Sequence, residues 1–531
     1  MPSPVELKGT PASPGVAAGP LVRLKHSREV FRRKAGAPEA EADAFAAAAA
    51  SAAADLADLM GLSGEEADGI LAFQVALLED DALTGPVQEA ISAGASADAA
   101  WRSEIERHIG DYESADDEYF RARAGDLRDL RDRVMRHLCG LGEDRLPPGA
   151  IVVGDDFAPS QFLSADWDAG GGIALIGSSP SSHVAILARA RGVPMVVGLS
   201  ALPDGHGEAM IDGRAGLVVL SPGSEERARL ATAAADHAAA AARAATFLHR
   251  PAVTARGTPV KVLVNVGSPA DVERIDVSTC DGIGLMRTEF LFHDGHPMPD
   301  EETQYRAYRT LLQWAEGRPV TVRTLDAGGD KPIRGYTPDG ETNTFLGVRG
   351  LRLSLARPDV FRVQLRALAR AAVHGNLKVM WPMVTRPEEL DEAAALFDAE
   401  LAALQAKGIA AARPPLGMMV EVPYPALMPE RFASAEFLSV GSNDLQQYMA
   451  AAARDNAQVA PLAEAVIPGV VKLIRGLTDF GREAGIDVSI CGDLASDTRY
   501  TEQLVAAGLR SLSVAPAALG HVKAAVSEAE A

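Results

Sequence analysis

The part of the chain after Pro251 alternates between short apolar runs and amphipathic stretches, and this rhythm limits the folds that the chain can adopt. Amphipathic stretches such as residues 387–405 and 468–484 have the apolar spacing of helices. The apolar runs between them are predicted strands at residues 260–266, 282–285, 320–325, 377–384, 416–422, 437–441, 488–491 and 512–514. About eight β/α units in about 260 residues predict a (β/α)8 TIM barrel over residues 251–531. A doubly wound open sheet is the structural alternative.

The first half of the chain has a different texture. Strand-like segments occur at residues 5–23 and again between residues 150 and 220, while residues 39–140 are rich in Ala, Leu, Asp, Glu and Arg with helical spacing. We therefore predict a multidomain α/β protein. An α/β domain would be formed by residues 1–24 and 145–223, a helical subdomain at 25–144 would be inserted into it, and a linker helix at 224–250 would lead to the barrel.

Charge and cysteine content restrict the partners and the compartment. The formal net charge is -21, which argues against nucleic acid as a partner. It suits a protein partner with a basic patch, although solubility alone explains it equally well. Cys139, Cys280 and Cys491 are widely spaced and form no zinc pattern. The start of the chain does not resemble a signal peptide, and no apolar run is long enough to span a bilayer, so we predict a cytoplasmic protein without membrane insertion.

His183 is the candidate nucleophile of the first half. It follows an apolar run at residues 173–176 and a turn of small residues, and it precedes Val184 and Leu187, a pattern that predicts a strand-to-helix turn. A helix start binds anions and keeps an imidazole neutral near pH 7. A neutral imidazole nitrogen that attacks phosphorus becomes a phosphohistidine. The alternative is a histidine near a helix cap that takes part in no chemistry.

Charged side chains recur at the carboxyl ends of the predicted barrel strands, where barrel enzymes place their active sites. They are Arg287 and Glu289 after the second strand, Arg323 and Asp326 after the third, Arg349 in the segment before the fourth, Glu421 after the fifth, Asn443, Asp444 and Arg454 after the sixth, and Cys491 at the seventh. Arginines bind phosphate and carboxylate oxygens bidentately. Glu421 and Asp444 can share a hard cation such as Mg²⁺. Together these residues predict a site for a small anionic substrate.

Each of these residues also has a purely structural explanation. Arg287 and Glu289 could form a surface salt bridge, and Asp444 could be a helix N-cap. Cys491 could be a buried apolar residue, which is the usual role of a free cysteine. Singly, these explanations compete evenly with function, but five strand ends of this kind in one barrel favour an active site.

Several motifs resemble signatures of the PEP-utilising enzymes. In the barrel they are Gly282-Ile-Gly-Leu-Met-Arg-Thr-Glu-Phe290, Arg323-Thr-Leu-Asp326 with Gly328-Gly-Asp-Lys331, Gly441-Ser-Asn-Asp-Leu-Gln-Gln-Tyr448 and Cys491-Gly-Asp-Leu-Ala495. The stretch around His183 resembles the phosphohistidine signature of the same superfamily. Within that superfamily, Ala12-Ser-Pro-Gly15 and the inserted helical block resemble the enzyme I family of the bacterial sugar phosphotransferase system. The resemblance covers nearly the whole chain.

The resemblance implies a role for each candidate residue. His183 would accept the phosphoryl group of phosphoenolpyruvate and pass it to a histidine of the small carrier protein HPr. Cys491 would protonate the enolate to give pyruvate. Phosphoenolpyruvate would be bound by Arg287, Arg323, Arg349, Asn443, Asp444 and Arg454, and Mg²⁺ by Glu421 and Asp444. The family also implies a homodimer formed through the barrels and a swivelling phosphohistidine domain.

Some positions depart from the family pattern. Before the nucleophile the family usually has Gly-Gly-Arg-Thr-Ser-His, whereas this chain has Ser178-Ser-Pro-Ser-Ser-His183. Ala453 replaces a usual Asp, Asp455 replaces a Gly, and we expect no helical stretch after the last strand. Two other functions are considered. A dikinase would need an ATP-grasp domain, for which residues 39–140 look too helical, and a regulatory paralogue would only bind HPr-like proteins.

Overall fold

The computed structural model describes residues 3–24, 34–59, 65–113, 118–141, 146–178, 180, 182–203, 207–292, 298–329, 331–333, 335–338, 340–453, 459 and 462–530. The chain forms two compact units, Met1–Ala238 and Ala239–Ala531. The division falls within one helix, Ser224–Phe247. None of the helices in the described ranges combines the length and the apolar character needed to cross a bilayer.

The first unit contains a mixed sheet and a block of helices. Its strands are β1 (Val5–Lys8), β2 (Thr10–Ser13), β3 (Val16–Arg23), β4 (Ile151–Gly154), β5 (Gly172–Leu175), β6 (Met195–Val197), β7 (Glu208–Asp212) and β8 (Leu217–Leu220). The inserted helices are α1 (Pro38–Leu59), α2 (Glu65–Glu79), α3 (Asp81–Ser92), α4 (Ala97–Glu113) and α5 (Glu118–Cys139). They are followed by α6 (Pro159–Ser164), α7 (His183–Arg191) and α8 (Ser224–Phe247).

The sheet of the first unit runs in the order β1-β8-β7-β3-β4-β5-β6-β2. Alternate residues of the inner strand β4 pack in different cores, because successive side chains along a strand point to opposite faces of the sheet. Val152 packs in the core shared with the helices, whereas Ile151 and Val153 belong to a second core. The two strands at opposite ends of the order, β1 and β2, are separated along the chain by Gly9 alone.

The second unit is a closed barrel of eight parallel strands, which confirms the predicted fold class. The strands are β9 (Lys261–Val266), β10 (Ile283–Met286), β11 (Val320–Arg323), β12 (Leu377–Trp381), β13 (Leu416–Val420), β14 (Phe437–Gly441), β15 (Asp487–Cys491) and β16 (Ser511–Val514). Parallel strands covered on both faces read as nearly continuous apolar runs, and for this reason all eight are visible in the sequence.

The helices of the second unit alternate with the strands. They are α9 (Glu301–Trp314), α10 (Leu351–Ala356), α11 (Pro358–Ala371), α12 (Pro387–Ala406), α13 (Pro423–Leu427), α14 (Ser442–Ala450), α15 (Leu462–Ala465), α16 (Ile467–Ala484), α17 (Asp493–Ser496), α18 (Thr501–Ala506) and α19 (Leu519–Glu528). The apolar faces of these helices, except that of α15, share one core with the barrel strands.

The expectation of no helix after the last strand is wrong. Helix α19 follows β16 and buries Leu519, Val522 and Val526 in the barrel core. Gly520 interrupts its apolar pattern and weakens the helical signal in the sequence. The packing requires this glycine, because a Cβ atom there would lie 2.5 Å from the backbone oxygen of Ala244.

Candidate active site

Five barrel strands deliver the candidate residues to one end of the barrel. They are Arg287 directly after β10, Arg323 at the end of β11, Glu421 directly after β13, Asn443 and Asp444 in the first turn of α14 after β14, and Cys491 at the end of β15. Because all eight strands are parallel, these positions lie at the carboxyl end of the barrel. The structure therefore brings together the candidates that the sequence placed at strand ends.

Two buried arginines are held by three carboxylates at this end. Arg323 donates from Nη2 to Oε1 of Glu289 at 2.8 Å, and its Nη1 lies 3.1 Å from Oδ2 of Asp326. Arg349 donates to Oδ2 of Asp326 at 2.9 Å and to Oδ1 of Asp444 at 3.3 Å. Asp326 is 1% exposed and thus bridges both arginines inside the protein. Burial alone would raise the pKa of Asp326, but Arg323 and Arg349 outweigh it and lower the pKa to about 2.

Arg287 does not pair with Glu289, contrary to the alternative drawn from the sequence. The Glu289 carboxylate accepts from Arg323 and from the backbone N–H of Asp326. Arg287 is exposed and makes no ion pair with a described residue. Its guanidinium is therefore available to an anion at the barrel mouth.

Glu421 is a buried carboxylate without an arginine partner among the described residues. It is 1% exposed, and its Oε1 accepts from the backbone N–H of Met383 at 2.7 Å. Burial, and then repulsion from Asp444 and Asp326, raises the pKa of Glu421 to about 8. Gly441 leaves room for this side chain, because a Cβ atom at that position would lie 2.9 Å from Oε2 of Glu421.

The chemistry of these side chains fits a divalent cation. When ionised, the four carboxylates of the cluster exceed its two buried arginines by two negative charges; these carboxylates are Glu289, Asp326, Glu421 and Asp444. Among the described residues, no three acidic, histidine or cysteine side chains converge as a ready-made metal cluster. Mg²⁺ commonly binds one or two carboxylates and completes its shell with water and substrate oxygens, so Glu421 and Asp444 suffice as protein ligands.

Asn443 and Cys491 are fixed by hydrogen bonds between the start of α14 and the chain from the end of β15 to the start of α17. Asn443 donates to Oδ2 of Asp493 at 3.1 Å and accepts from the Asp493 backbone N–H at 2.9 Å. Ser442 donates to the backbone oxygen of Cys491 at 2.8 Å. Cys491 is 2% exposed, and burial, followed by the charge of Glu421, raises its pKa to about 11. It therefore remains a protonated thiol at neutral pH, which suits both an acid and a packing residue.

His183 is the first residue of α7, and its side chain lies outside the described part of the chain. The preceding Ser182 caps this helix by accepting from the backbone N–H of Ala185 at 3.3 Å. Arg189 donates to the backbone oxygens of Ala12 and Pro180, each at 2.7 Å, and so joins the helix to the end of β2.

Ser178 shows how the backbone before His183 accommodates residues that differ from the family pattern. Its φ of 70° lies in the left-handed region, which favours the glycine that the family usually has there. Its hydroxyl donates to Oγ of Ser182 at 2.8 Å. This bond inside the turn offsets part of the backbone strain.

Sequence reasoning misses two contributors to the site. Asp326 lies at a predicted strand end but receives no role there, because the pairing of one carboxylate with two arginines depends on the fold. The N–H of Met383 leaves no signal, because any residue type has a backbone N–H. Arg454 lies outside the described residues.

Family models match nearly the whole chain. They are the N-terminal part of PEP-utilising enzymes at residues 8–123, their mobile domain at 146–216 and their PEP-binding domain at 241–531. The chain is 35% identical to a phosphoenolpyruvate-protein phosphotransferase of Bacillus sp. (strain S), over 98% of this chain and 93% of that protein. The chain is also 38% identical to a phosphoenolpyruvate-protein phosphotransferase of Haloferax volcanii, over 88% of this chain and 83% of that protein. The chain belongs to the phosphoenolpyruvate-protein phosphotransferase family.

Membership in the phosphoenolpyruvate-protein phosphotransferase family confirms the resemblance recognised in the sequence. A further relative, from Geobacillus stearothermophilus, is 35% identical over 96% of this chain and 90% of that protein. The PEP-binding model spans the whole barrel, including the arginine and carboxylate cluster. The mobile-domain model spans α7, which begins at His183.

Proposed function

We propose that this protein transfers the phosphoryl group of phosphoenolpyruvate to its own His183 and then to a histidine of HPr, and that it releases pyruvate as the first step of the sugar phosphotransferase system. The observation that carries this proposal is the cluster of arginines and carboxylates at the barrel mouth, which lies within the match to the PEP-binding domain. Phosphoryl transfer depends mainly on positioning and charge neutralisation, and such a cluster supplies both.

Substrate binding is assigned to the cationic and amide groups of the site. The exposed Arg287 meets the incoming anion, while Arg323 and Arg349 are already oriented by their carboxylate partners. Asn443 can turn its amide from Asp493 to a substrate oxygen. Arg454 keeps the role in substrate binding that the family resemblance predicts.

In the first chemical step, a neutral nitrogen of His183 attacks the phosphorus atom of phosphoenolpyruvate. The bond between phosphorus and the enol oxygen breaks, and its electron pair stays on that oxygen as an enolate. The enolate carbon then takes a proton from the thiol of Cys491, which gives pyruvate, and the thiolate regains a proton from water. The raised pKa of Cys491, about 11, keeps this acid loaded at neutral pH.

Glu421 and Asp444 would hold the Mg²⁺ ion of the site. When bound, the ion would neutralise charge on the phosphoryl and enolate oxygens. The charge balance of the cluster supports this assignment, because its four carboxylates outnumber its two buried arginines and Glu421 has no arginine partner among the described residues.

The helical block is proposed as the HPr-binding surface. Residues 35–101, which include α1 to α3, contain thirteen Asp and Glu residues and no Lys, Arg or His. Exposed acids occur on each of these helices, among them Asp58, Glu79 and Glu89. A surface of one sign steers a partner of the opposite sign, so the carrier should present basic residues.

A further proposal follows from family membership. A homodimer formed through the barrel units is supported by exposed apolar side chains beside the barrel mouth, since Leu427 is 62% exposed and Met428 is 40% exposed. The cytoplasmic location stays a prediction from the sequence.

The proposed function is tested by labelling. The full chain is incubated with ³²P-labelled phosphoenolpyruvate and Mg²⁺, and the labelled residue is mapped. We expect an acid-labile, base-stable label that His183→Ala abolishes and His237→Ala, a matched change in α8, retains. A full label on the His183→Ala protein would refute the assignment. An unlabelled wild-type protein that still binds HPr would favour the regulatory paralogue.

A further inference from the structure

Tyr448 connects the helix that carries Asp444 to the chain segment that carries Arg349. It lies one helical turn after Asp444 on α14. Its hydroxyl donates to the backbone oxygen of Phe345 at 2.6 Å and accepts from Nη1 of Arg349 at 3.3 Å. The same Nη1 donates to Oδ1 of Asp444 at 3.3 Å, so Asp444 and Tyr448 hold the guanidinium together.

The segment of residues 341–349 depends on such anchors. It contains one short 3-10 turn, Thr344–Leu346, and Leu346 is 69% exposed. The backbone N–H groups of Leu346 and Val348 bond within the segment, to the Asn343 oxygen and the Glu341 carboxylate. These local bonds do not fix the segment to the barrel. It is anchored by Arg349, which is bound to Asp326, by Arg352 of α10, which donates to the backbone oxygen of Gly347 at 3.3 Å, and by the bond from Tyr448 on α14.

The ring of Phe345 adds a second contact to the same arginine. The Arg349 guanidinium carbon lies 5.7 Å from the centre of this ring, within the range of a cation–π interaction. Phe345 therefore meets Arg349 through its ring and Tyr448 through its backbone oxygen. A shift of Phe345 would therefore disturb the Arg349 guanidinium directly, through the ring, and indirectly, through Tyr448.

We propose that Tyr448 is a positioning residue for substrate binding, which holds the segment 341–349 against α14 and so presets the Arg349 guanidinium beside Asp444. The proposal rests on the proposed function, because it takes Arg349 as a ligand of phosphoenolpyruvate. An arginine that is ordered before binding loses less conformational entropy when substrate arrives. Without the phenol hydroxyl, the bound substrate and the transition state lose the same amount of stabilisation from Arg349. The affinity for phosphoenolpyruvate therefore falls, whereas kcat is unchanged.

The test replaces Tyr448 by phenylalanine, which removes the hydroxyl and keeps the ring. Phosphoenolpyruvate with Mg²⁺ is titrated calorimetrically into the full chain carrying His183→Ala, so that no transfer occurs. Adding Tyr448→Phe should raise Kd about tenfold, the effect expected for a lost hydrogen bond to a charged group. In the chain with His183 intact, KM should rise by a similar factor, and kcat should stay within about twofold.

Tyr424→Phe is the matched control. Its hydroxyl also accepts from an arginine, Nη1 of Arg431 at 2.6 Å, and it lies on α13 after the neighbouring strand β13. This change should leave Kd unaltered. Hydrogen–deuterium exchange should quicken at residues 344–348 in the Tyr448→Phe protein only, and transfer between His183 and HPr should stay normal in both.

A double-mutant cycle separates positioning from general stability. Arg349→Lys should weaken binding by itself, and Tyr448→Phe added to it should weaken binding little further, because the residue that the phenol positions is gone. A Kd within twofold of the parent in the Tyr448→Phe protein would overturn the proposal. Failure of the proposed function would look different, since the His183→Ala parent would then not bind phosphoenolpyruvate.

Discussion

Replacing Asp326 by asparagine should destabilise the barrel by about 3 kcal/mol. The carboxylate is 1% exposed and holds Arg323 at 3.1 Å and Arg349 at 2.9 Å. Removing one partner of a buried ion pair typically costs about 3–5 kcal/mol. The pKa gives a lower figure: a fall from 3.8 to about 2 corresponds to roughly 2–3 kcal/mol. Asparagine keeps the shape and one acceptor oxygen, so the lower half of this combined range is expected.

The sign of the pH dependence follows from the direction of the shift. Because the pKa of Asp326 is lower in the folded protein, its stabilising contribution is fully present above its unfolded pKa of 3.8 and is lost as the pH falls through about 2. The difference between wild type and Asp326→Asn should therefore be constant above about pH 5 and shrink as the solution is acidified further.

Urea unfolding monitored by hydrogen–deuterium exchange in β9 to β16 measures this difference for the barrel. Asp398→Asn is the control, because Asp398 is an exposed partner of Arg413 and such surface pairs contribute about 1 kcal/mol or less. The KM for phosphoenolpyruvate should also rise in the Asp326→Asn protein, since both arginines lose a fixed partner. An Asp326→Asn barrel within about 1 kcal/mol of wild type would refute the reasoning.

Three further predictions test the metal, the acid and the carrier. Mg²⁺ added at pH 7 should release close to one proton per site, because the pKa of Glu421 is about 8 and the metal binds the ionised carboxylate. Calorimetry in buffers of different ionisation enthalpy measures the number of protons released. Proton release that persists in the Glu421→Gln protein would contradict the prediction. Asp444→Ala should abolish labelling of His183. Cys491→Ala should keep the labelling but slow pyruvate formation about 100-fold or more. Pyruvate release near the wild-type rate in the Cys491→Ala protein would exclude Cys491 as the acid. The triple change Asp58→Lys, Glu79→Lys and Glu89→Lys should slow association with HPr at least tenfold at low salt, as measured by stopped flow. The control is the triple change Glu388→Lys, Asp391→Lys and Glu392→Lys on α12, which should leave the association rate unaltered. Equal rates for the two triple variants would rule out the helical block as the docking surface.

The barrel can be predicted from the sequence because its strands are parallel and buried. Each strand has to be an apolar run, and most are followed by a polar motif at the end where the site is formed. The order of apolar run and polar motif along the chain is therefore enough to locate the candidate residues at these ends. Gly520 conceals α19, because the reason for a glycine there is the close approach of α8.

The pairings inside the site cannot be predicted in this way. The structural alternative paired Glu289 with Arg287, two positions before it in the sequence, but Glu289 accepts from Arg323 on the next strand. Arg349 reaches Asp444, which lies 95 residues further along the chain. Such contacts depend on how far each segment rises above the barrel, and apolar periodicity carries no information about that distance.

The strand order of the first unit also determines when that unit can be completed during synthesis. The ribosome releases β1 and β2 first, but Val5 pairs with Leu220 and Thr10 pairs with Val197. At about 5–20 residues per second, the strands β1 and β2 wait roughly 10–40 seconds for these partners. The helices α1 to α5 pack mainly on one another and can form during that interval. A nascent chain that pauses before residue 195 therefore exposes both strands with unpaired backbone groups, and a holding chaperone would act at this stage.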